Sequence, residues 1–410
     1  RRIGFFRRYI LSLCLAGEIH CGSHRLLNRM YDVILTCNYS PWSSYRGGGQ
    51  KSTHMIASTL ATMGKKVCVI YSKGVFERVA LPEDLPYDVV WAFFFAIKPG
   101  ISSPLRFLNG ISFYLKTRKL SGSGTVLHGN GEEASLLRYV RNKKRFVFSL
   151  RYPGFEPFMY SLPWNKIWVW PYVFLREPRH IVLALALRGA DAVMCTSASS
   201  KESLLACFRI SEQKTRIIPN GIDPVFLATR FEWKEQNGIL YFGRLTHAKG
   251  VDVLLRAYAG LEEATKQIHP LKIIGDGPYV VELKRLASEL HLEKRVEWQA
   301  WVGSQELAHE IVSHRLVALP SREESFGNTM LETLATGQSL ISTNAGSIPE
   351  VTEDHAVLVP RDDVDALRRA ISECMSKSPS REDIEARYRY VRERFSWETT
   401  SQMYLKSYEE

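Results

Sequence analysis

The sequence predicts an α/β protein made of two successive parallel sheets of Rossmann type, each with helices on both faces. Three observations predict it. Short apolar runs rich in Val, Ile and Leu alternate with longer segments of helical spacing along most of the chain. Small-residue loops recur at the ends of those runs, as in Gly275-Asp276-Gly277-Pro278. A chain of 410 residues is also long enough for two separate cores, and a charged stretch just past residue 230 divides the two series.

Taken in order, residues 32–37 read as the first strand, a polar glycine-rich loop runs to Gly49, and residues 52–63 read as a helix. Strands are predicted at 66–71, 88–95, 124–128, 145–150 and 192–197. After Pro219-Asn220-Gly221-Ile222-Asp223-Pro224 comes a linker over 223–236. The second series places strands at 238–242, 271–274, 295–298, 316–319, 339–342 and 356–359, with helices between them. The predicted divisions are a first domain over 30–222 and a second over 237–394, with a terminal helical segment over 395–410. Residues 1–29 stand apart. Arg1-Arg2-Ile3-Gly4-Phe5-Phe6-Arg7-Arg8 followed by Tyr9-Ile10-Leu11 has the form of a short, weak signal peptide, yet Met30 stands directly before a strong strand. The segment reads first as a non-native or disordered lead, second as a surface-binding amphipathic piece, and third as a secretion signal.

Composition narrows the function classes. The net charge of +11 is unevenly placed: residues 1–230 carry 32 Lys and Arg against 14 Asp and Glu, and residues 231–410 carry 22 against 29. A basic first half suits an anionic partner such as a membrane phospholipid, a phosphorylated lipid carrier or an acidic glycan. Nucleic acid is disfavoured, because no recognition helix, zinc finger or aromatic-basic RNA motif is present. The seven cysteines are scattered without a CxxC pair, which points to reduced thiols and a cytoplasmic setting. No run approaches the ~18 apolar residues of a membrane-spanning helix.

The chemistry-bearing segments lie in the second half. In Pro320-Ser321-Arg322-Glu323-Glu324-Ser325-Phe326-Gly327-Asn328-Thr329-Met330-Leu331-Glu332, two carboxylates stand eight residues apart on either side of a turn that opens a helix. Exposed amides at such a helix start form a site for an anion such as a diphosphate. Gly243-Arg244-Leu245-Thr246-His247-Ala248-Lys249-Gly250 places Arg244 and Lys249 in a loop after the first strand of the second domain. Arg offers a forked contact and Lys a point charge to a diphosphate leaving group; solvated loop cations are the plainer reading. Gly275 opens a tight strand-to-helix turn, and residues 343–350 form another small-residue loop at a strand end. Ligands of open α/β sheets bind at the carboxyl ends of strands, where these loops converge.

Taken together, Pro219-Asn220-Gly221-Ile222-Asp223, Gly243-Arg244-Leu245 with Lys249-Gly250, Gly275-Asp276-Gly277-Pro278, the Glu324 and Glu332 pair, and Phe395-Ser396-Trp397-Glu398 resemble the retaining GT-B glycosyltransferases of family 4. The resemblance runs in order over roughly 217–400. It implies two Rossmann-like domains facing across a cleft, with a UDP- or GDP-linked sugar held mainly by the second. It assigns Glu324 to the donor sugar, Glu332 to the ribose hydroxyls, Arg244 and Lys249 to the diphosphate, and backbone amides at Phe326, Gly327 and Asn328 to sugar and phosphate. It also implies a last helix that crosses back onto the first domain. No cofactor or metal is implied. The acceptor would be a glycan or lipid-linked saccharide in cell-surface polysaccharide synthesis, handled in the cytoplasm or at the inner membrane face.

The first half resembles the family more loosely. Gly47-Gly48-Gly49-Gln50 matches its glycine loop, with Gly48 and Gly49 as bare backbone open to ligand, and is not a GxGxxG dinucleotide fingerprint. Arg151 in Ser149-Leu150-Arg151 stands where many members carry a histidine. His128 is the alternative cleft residue, or else a core histidine. Residues 152–187 are dense in aromatics beside Arg176, Arg179 and Arg188, which suits either core packing or a lipid headgroup layer. The competing reading from another class is a catalytically silent scaffold of the same fold. A phosphorylase lacks its pyridoxal-phosphate lysine motif here.

Overall fold

The short apolar runs form strands because they are buried on both faces, which only a parallel sheet covered by helices provides. In the computed structural model, which describes residues 19–20, 30–43, 48–74, 77–93, 106–150, 178–208, 210–231 and 236–410, the first sheet contains eight strands. These are β1 (Ile19–His20), β2 (Val33–Cys37), β3 (Val67–Lys73), β4 (Asp88–Phe93), β5 (Val126–Gly129), β6 (Arg145–Leu150), β7 (Ala192–Cys195) and β8 (Thr215–Ile217). Their spatial order is β1-β4-β3-β2-β5-β6-β7-β8. β2 to β8 are parallel throughout, and β1 pairs antiparallel to β4 through Ile19 opposite Val90. Of the lead 1–29, only these two residues are described.

The second sheet contains β9 (Ile239–Phe242), β10 (Leu271–Ile274), β11 (Val296–Gln299), β12 (Leu316–Leu319), β13 (Leu340–Thr343) and β14 (Val357–Val359). All six are parallel, in the order β11-β10-β9-β12-β13-β14. The order reverses between β9 and β12, which are hydrogen-bonded neighbours. The carboxyl ends of strands where the order reverses are the usual ligand position in open sheets. The double parallel-sheet architecture predicted from the apolar runs is the one observed.

The chain divides into two compact units. One comprises 1–196, 201–218 and 400–410, and the other 197–200 and 219–399. The last helix, Trp397–Glu409, thus counts with the first unit from Thr400 onward. Tyr404 and Tyr408 anchor it there. His128, fully buried on β5, pairs its Nδ1 with the Tyr408 hydroxyl at 2.7 Å and its Nε2 with Ser149 Oγ at 2.7 Å; Ser149 Oγ also meets the Tyr404 hydroxyl at 3.1 Å.

Two further details depart from the sequence reading. The first helix spans Gly48–Thr62 rather than starting at 52, so Gly48 and Gly49 form its first turn. Ser52 Oγ and Thr53 Oγ1 donate back to the carbonyls of Gly48 and Gly49 at 2.8 and 2.9 Å, which holds glycine in a helix that its entropy disfavours. β8 was not foreseen, since two of its three residues are exposed and it carries no apolar run.

Candidate active site

The candidate side chains of the second unit lie in the loops, turns and helix start that follow β9 and β12. Gly243, directly after β9, has a φ of 145°, and a Cβ on Gly275 after β10 would stand 1.9 Å from the Gly243 carbonyl oxygen. The two loops therefore lie backbone against backbone, and Gly275 is explained by packing alone. Arg244 follows, exposed, while its carbonyl accepts from the Tyr241 hydroxyl at 3.2 Å. Lys249 does not sit in an open loop. It ends a 3₁₀ turn over His247–Lys249, and Gly250 then takes a left-handed φ of 66° before the helix Val251–Ala259. A Cβ at Gly250 would stand 2.0 Å from the Pro320 carbonyl oxygen, so this turn is pressed onto the segment that follows β12.

That contact brings the two sequence motifs together. The Lys249 ammonium donates to Glu324 Oε2, with the two side chains 16% and 12% exposed. Glu324 is fixed from behind: its carbonyl accepts from the Ser347 backbone N–H at 3.0 Å and from Ser347 Oγ at 3.1 Å. A Cβ on Gly346 would stand 2.3 Å from the same carbonyl oxygen, which accounts for the small residues of the 343–350 loop. Burial pushes the Tyr241 phenol well above its ordinary range, and the Glu324 charge adds to the rise.

The helix Asn328–Ala335 opens on Gly327, which takes a φ of 88°, and no side chain caps it. No side chain thus occupies the end of the helix dipole where anions are favoured. Asn328 Oδ1 is buried and takes no hydrogen bond within the described residues. The Phe326 ring is turned into the core, edge-on to Phe395 at 6.1 Å, so only its backbone can face a ligand. Glu332 lies in the second turn of the helix, half-buried.

In the first unit the picture is mixed. Gly48 and Gly49 are exposed, and a Cβ on Gly49 would meet nothing within 4 Å. His128 is a core residue with both ring nitrogens paired, not a side chain open to substrate; this corrects its reading as a cleft residue. Arg151 and residues 152–177 of the aromatic segment lie outside the described residues.

One residue escaped the sequence reading. Arg322 donates from Nη1 and Nη2 to Asp252 Oδ1 and Oδ2, both at 2.8 Å, and from Nε to Asp362 Oδ1 at 2.6 Å. Burial alone would raise the Asp252 carboxyl, but the guanidinium fork outweighs it and holds that carboxyl below its ordinary range.

Comparisons with known proteins cover both halves of the chain. The model of the Glycosyltransferase Family 4 matches residues 46–226, and that of the Glycosyl transferases group 1 matches residues 228–390. The chain belongs to the glycosyltransferases of group 1 and family 4. Among relatives of this chain, a phosphatidylinositol N-acetylglucosaminyltransferase component from Arabidopsis thaliana is 28% identical over 221 residues, covering 53% of this chain and 48% of that protein. The O-antigen chain mannosyltransferase B of Escherichia coli is 27% identical over 186 residues, covering 45% and 48%. The matched region thus spans about half the length of these curated relatives. Among solved structures, a sucrose-phosphate synthase from Thermosynechococcus elongatus superposes with a TM-score of 0.71 at 20% identity, covering 93% of this chain and 98% of that one. The Anabaena protein HepE, solved in complex with UDP and glucose, gives 0.66 at 18% identity, covering 92% and 99%. The fold of this chain is GT-B.

Proposed function

We propose that this chain transfers a hexosyl group, with retention of anomeric configuration, from a UDP- or GDP-linked sugar to a glycan or lipid-linked saccharide in cell-surface polysaccharide synthesis. The observation that carries the reading is the Lys249–Glu324 pair beyond the carboxyl ends of β9 and β12, beside the uncapped start of Asn328–Ala335. On this reading Lys249 and Arg244 take the diphosphate, Glu324 the donor sugar and Glu332 the ribose hydroxyls. The amides at Phe326, Gly327 and Asn328 face sugar and phosphate, and Asn328 Oδ1 gains the partner it lacks. UDP in the complex of HepE, and the transferase names of both relatives, support the substrate class.

The reaction breaks the bond from the anomeric carbon to the phosphate oxygen. The acceptor oxygen then bonds to that carbon on the same face, and the departing phosphate oxygen takes the acceptor proton. No side-chain nucleophile is required, so Glu324 and Glu332 are not a glycosidase acid/base pair. The charge that develops on the diphosphate is met by Lys249 and Arg244, which makes turnover independent of a divalent metal on this reading. Glycosyl transfer at a cytoplasmic membrane face suits the basic first 230 residues.

The test is thermal-shift binding across UDP-, GDP- and ADP-sugars, with Lys249→Ala as control. Stabilisation of the wild type by one nucleotide class, lost in the variant, is the expected result. No stabilisation by any of them overturns the donor-site reading. Binding without transfer to any acceptor favours a silent scaffold instead.

A further inference from the structure

We propose that Arg322 positions Lys249 against Glu324, fixing the geometry of a pair to which it does not itself belong. The catalytic meaning of this inference rests on the donor-site reading above; its geometric content does not.

Arg322 joins three chain segments. Its guanidinium forks onto Asp252, reaches Asp362, and donates from Nη1 to the His247 carbonyl at 2.7 Å. Its own backbone N–H donates to the Ala248 carbonyl at 2.8 Å. Lys249 lies between His247 and Asp252, and Glu324 lies two residues past Arg322. Both members of the pair are therefore tied to one side chain through a few residues of chain.

Three features separate this from an ordinary surface ion pair. The Arg322 side chain is only 14% exposed, against 17% for Asp252 and 50% for Asp362. The fork is planar and two-pronged, so it fixes orientation as well as distance. The turn it grips cannot slide, because Gly250 has no room for even a Cβ against Pro320. With two carboxylates on one guanidinium, Arg322 has no spare charge to offer a phosphate, so its part is to place Lys249 rather than to bind donor.

Amine labelling of ligand-free protein, read by mass spectrometry, tests the geometry directly. In Arg322→Ala, Lys249 should label roughly tenfold faster than in the wild type, the scale of coupling between contacting residues, while the other lysines stay unchanged. Asp362→Asn, which removes only the exposed arm, should leave Lys249 near its wild-type rate. Unchanged Lys249 labelling in Arg322→Ala overturns the inference. Should that variant fail to fold, Asp252→Asn disrupts the same fork with the arginine in place, and the same two results decide.

A double-variant cycle on binding of UDP-glucose and GDP-mannose tests the functional consequence. Arg322→Ala should weaken the nucleotide sugar that binds, and Arg322→Lys should recover only part, since an ammonium cannot form the fork. In a Lys249→Ala background, Arg322→Ala should cost nothing more. Additive losses are the signature of a merely structural role and also overturn the inference. If neither nucleotide sugar binds the wild type while Lys249 labelling still responds to Arg322→Ala, the positioning stands and the donor-site reading falls.

Discussion

Glu133 is a carboxyl group shut away from the protein surface. It lies fully buried after β5, where Thr36 Oγ1 donates to its Oε1 at 3.2 Å and the Asn130 N–H at 3.3 Å, while Oε2 takes no hydrogen bond within the described residues. Burial, reinforced by the neighbouring Glu132, pushes its pKa up to about 7. The sign of the consequence is opposite to that of an ordinary paired carboxylate. Between the unfolded value near 4.5 and about 7, the folded state holds a proton that the unfolded chain has released, so stability falls as pH rises through that window. The loss is on the order of 3 kcal/mol at ~1.4 kcal/mol per pKa unit. Thermal unfolding followed from pH 4.5 to 8 should show this decline in the wild type, and Glu133→Gln should flatten it. At the proposed donor site, Lys249→Ala and Glu324→Ala should each lower kcat by roughly 10²- to 10³-fold, the cost of losing one group aimed at developing charge. Steady-state rates beside an unchanged circular-dichroism spectrum check both.

Helices and turns carry predictions of a different kind. Ser380 and Asp383 form a reciprocal capping box at the start of Arg381–Arg394, with Ser380 Oγ accepting from the Asp383 N–H at 3.0 Å. Ser380→Ala should cost about 1 kcal/mol of unfolding free energy in a urea titration, with donor binding unaltered. Gly250→Ala should cost more than that and should also impair donor binding. It places a Cβ at a φ of 66° against the Pro320 carbonyl and pries apart the turn that carries Lys249. Element identity was legible because period and burial agree: β12 is an apolar run of four residues, β10 has three apolar residues around Lys272, and both occupy the predicted spans. The first helix was misplaced because glycines at 48 and 49 read as loop, and β8 was missed for want of an apolar run. Of the candidate site, the acids and bases were singled out by motif spacing and by the family resemblance together, and Lys249 and Glu324 lie in contact. The Arg322–Asp252 fork could not, since its members stand 70 residues apart and nothing local marks either as a partner. His128 was ambiguous for the same reason: its partner Tyr408 lies 280 residues away.

At the scale of the whole molecule, charge rather than topology sets the expectation. The surplus of 18 basic residues within 1–230, against a deficit of 7 over 231–410, predicts salt-sensitive binding to anionic vesicles through the first half. Among the described residues no helix is long and apolar enough to cross a membrane. Co-sedimentation with phosphatidylglycerol vesicles at low and high salt checks it. Binding that survives high salt would point to apolar insertion, and no binding at low salt would remove the membrane from the proposed setting.

The pairing of Lys249 with Glu324 bears on which competitors the site tolerates. A solitary anion, such as inorganic phosphate, can draw the ammonium toward itself only by stranding a carboxylate that is 12% exposed. A nucleotide sugar presents an anion and hydroxyl groups together and so offers each partner a replacement. Ambient phosphate should therefore inhibit poorly, even at concentrations far above those of the donor. Substituting Glu324 should make the site more receptive to phosphate while it becomes less active.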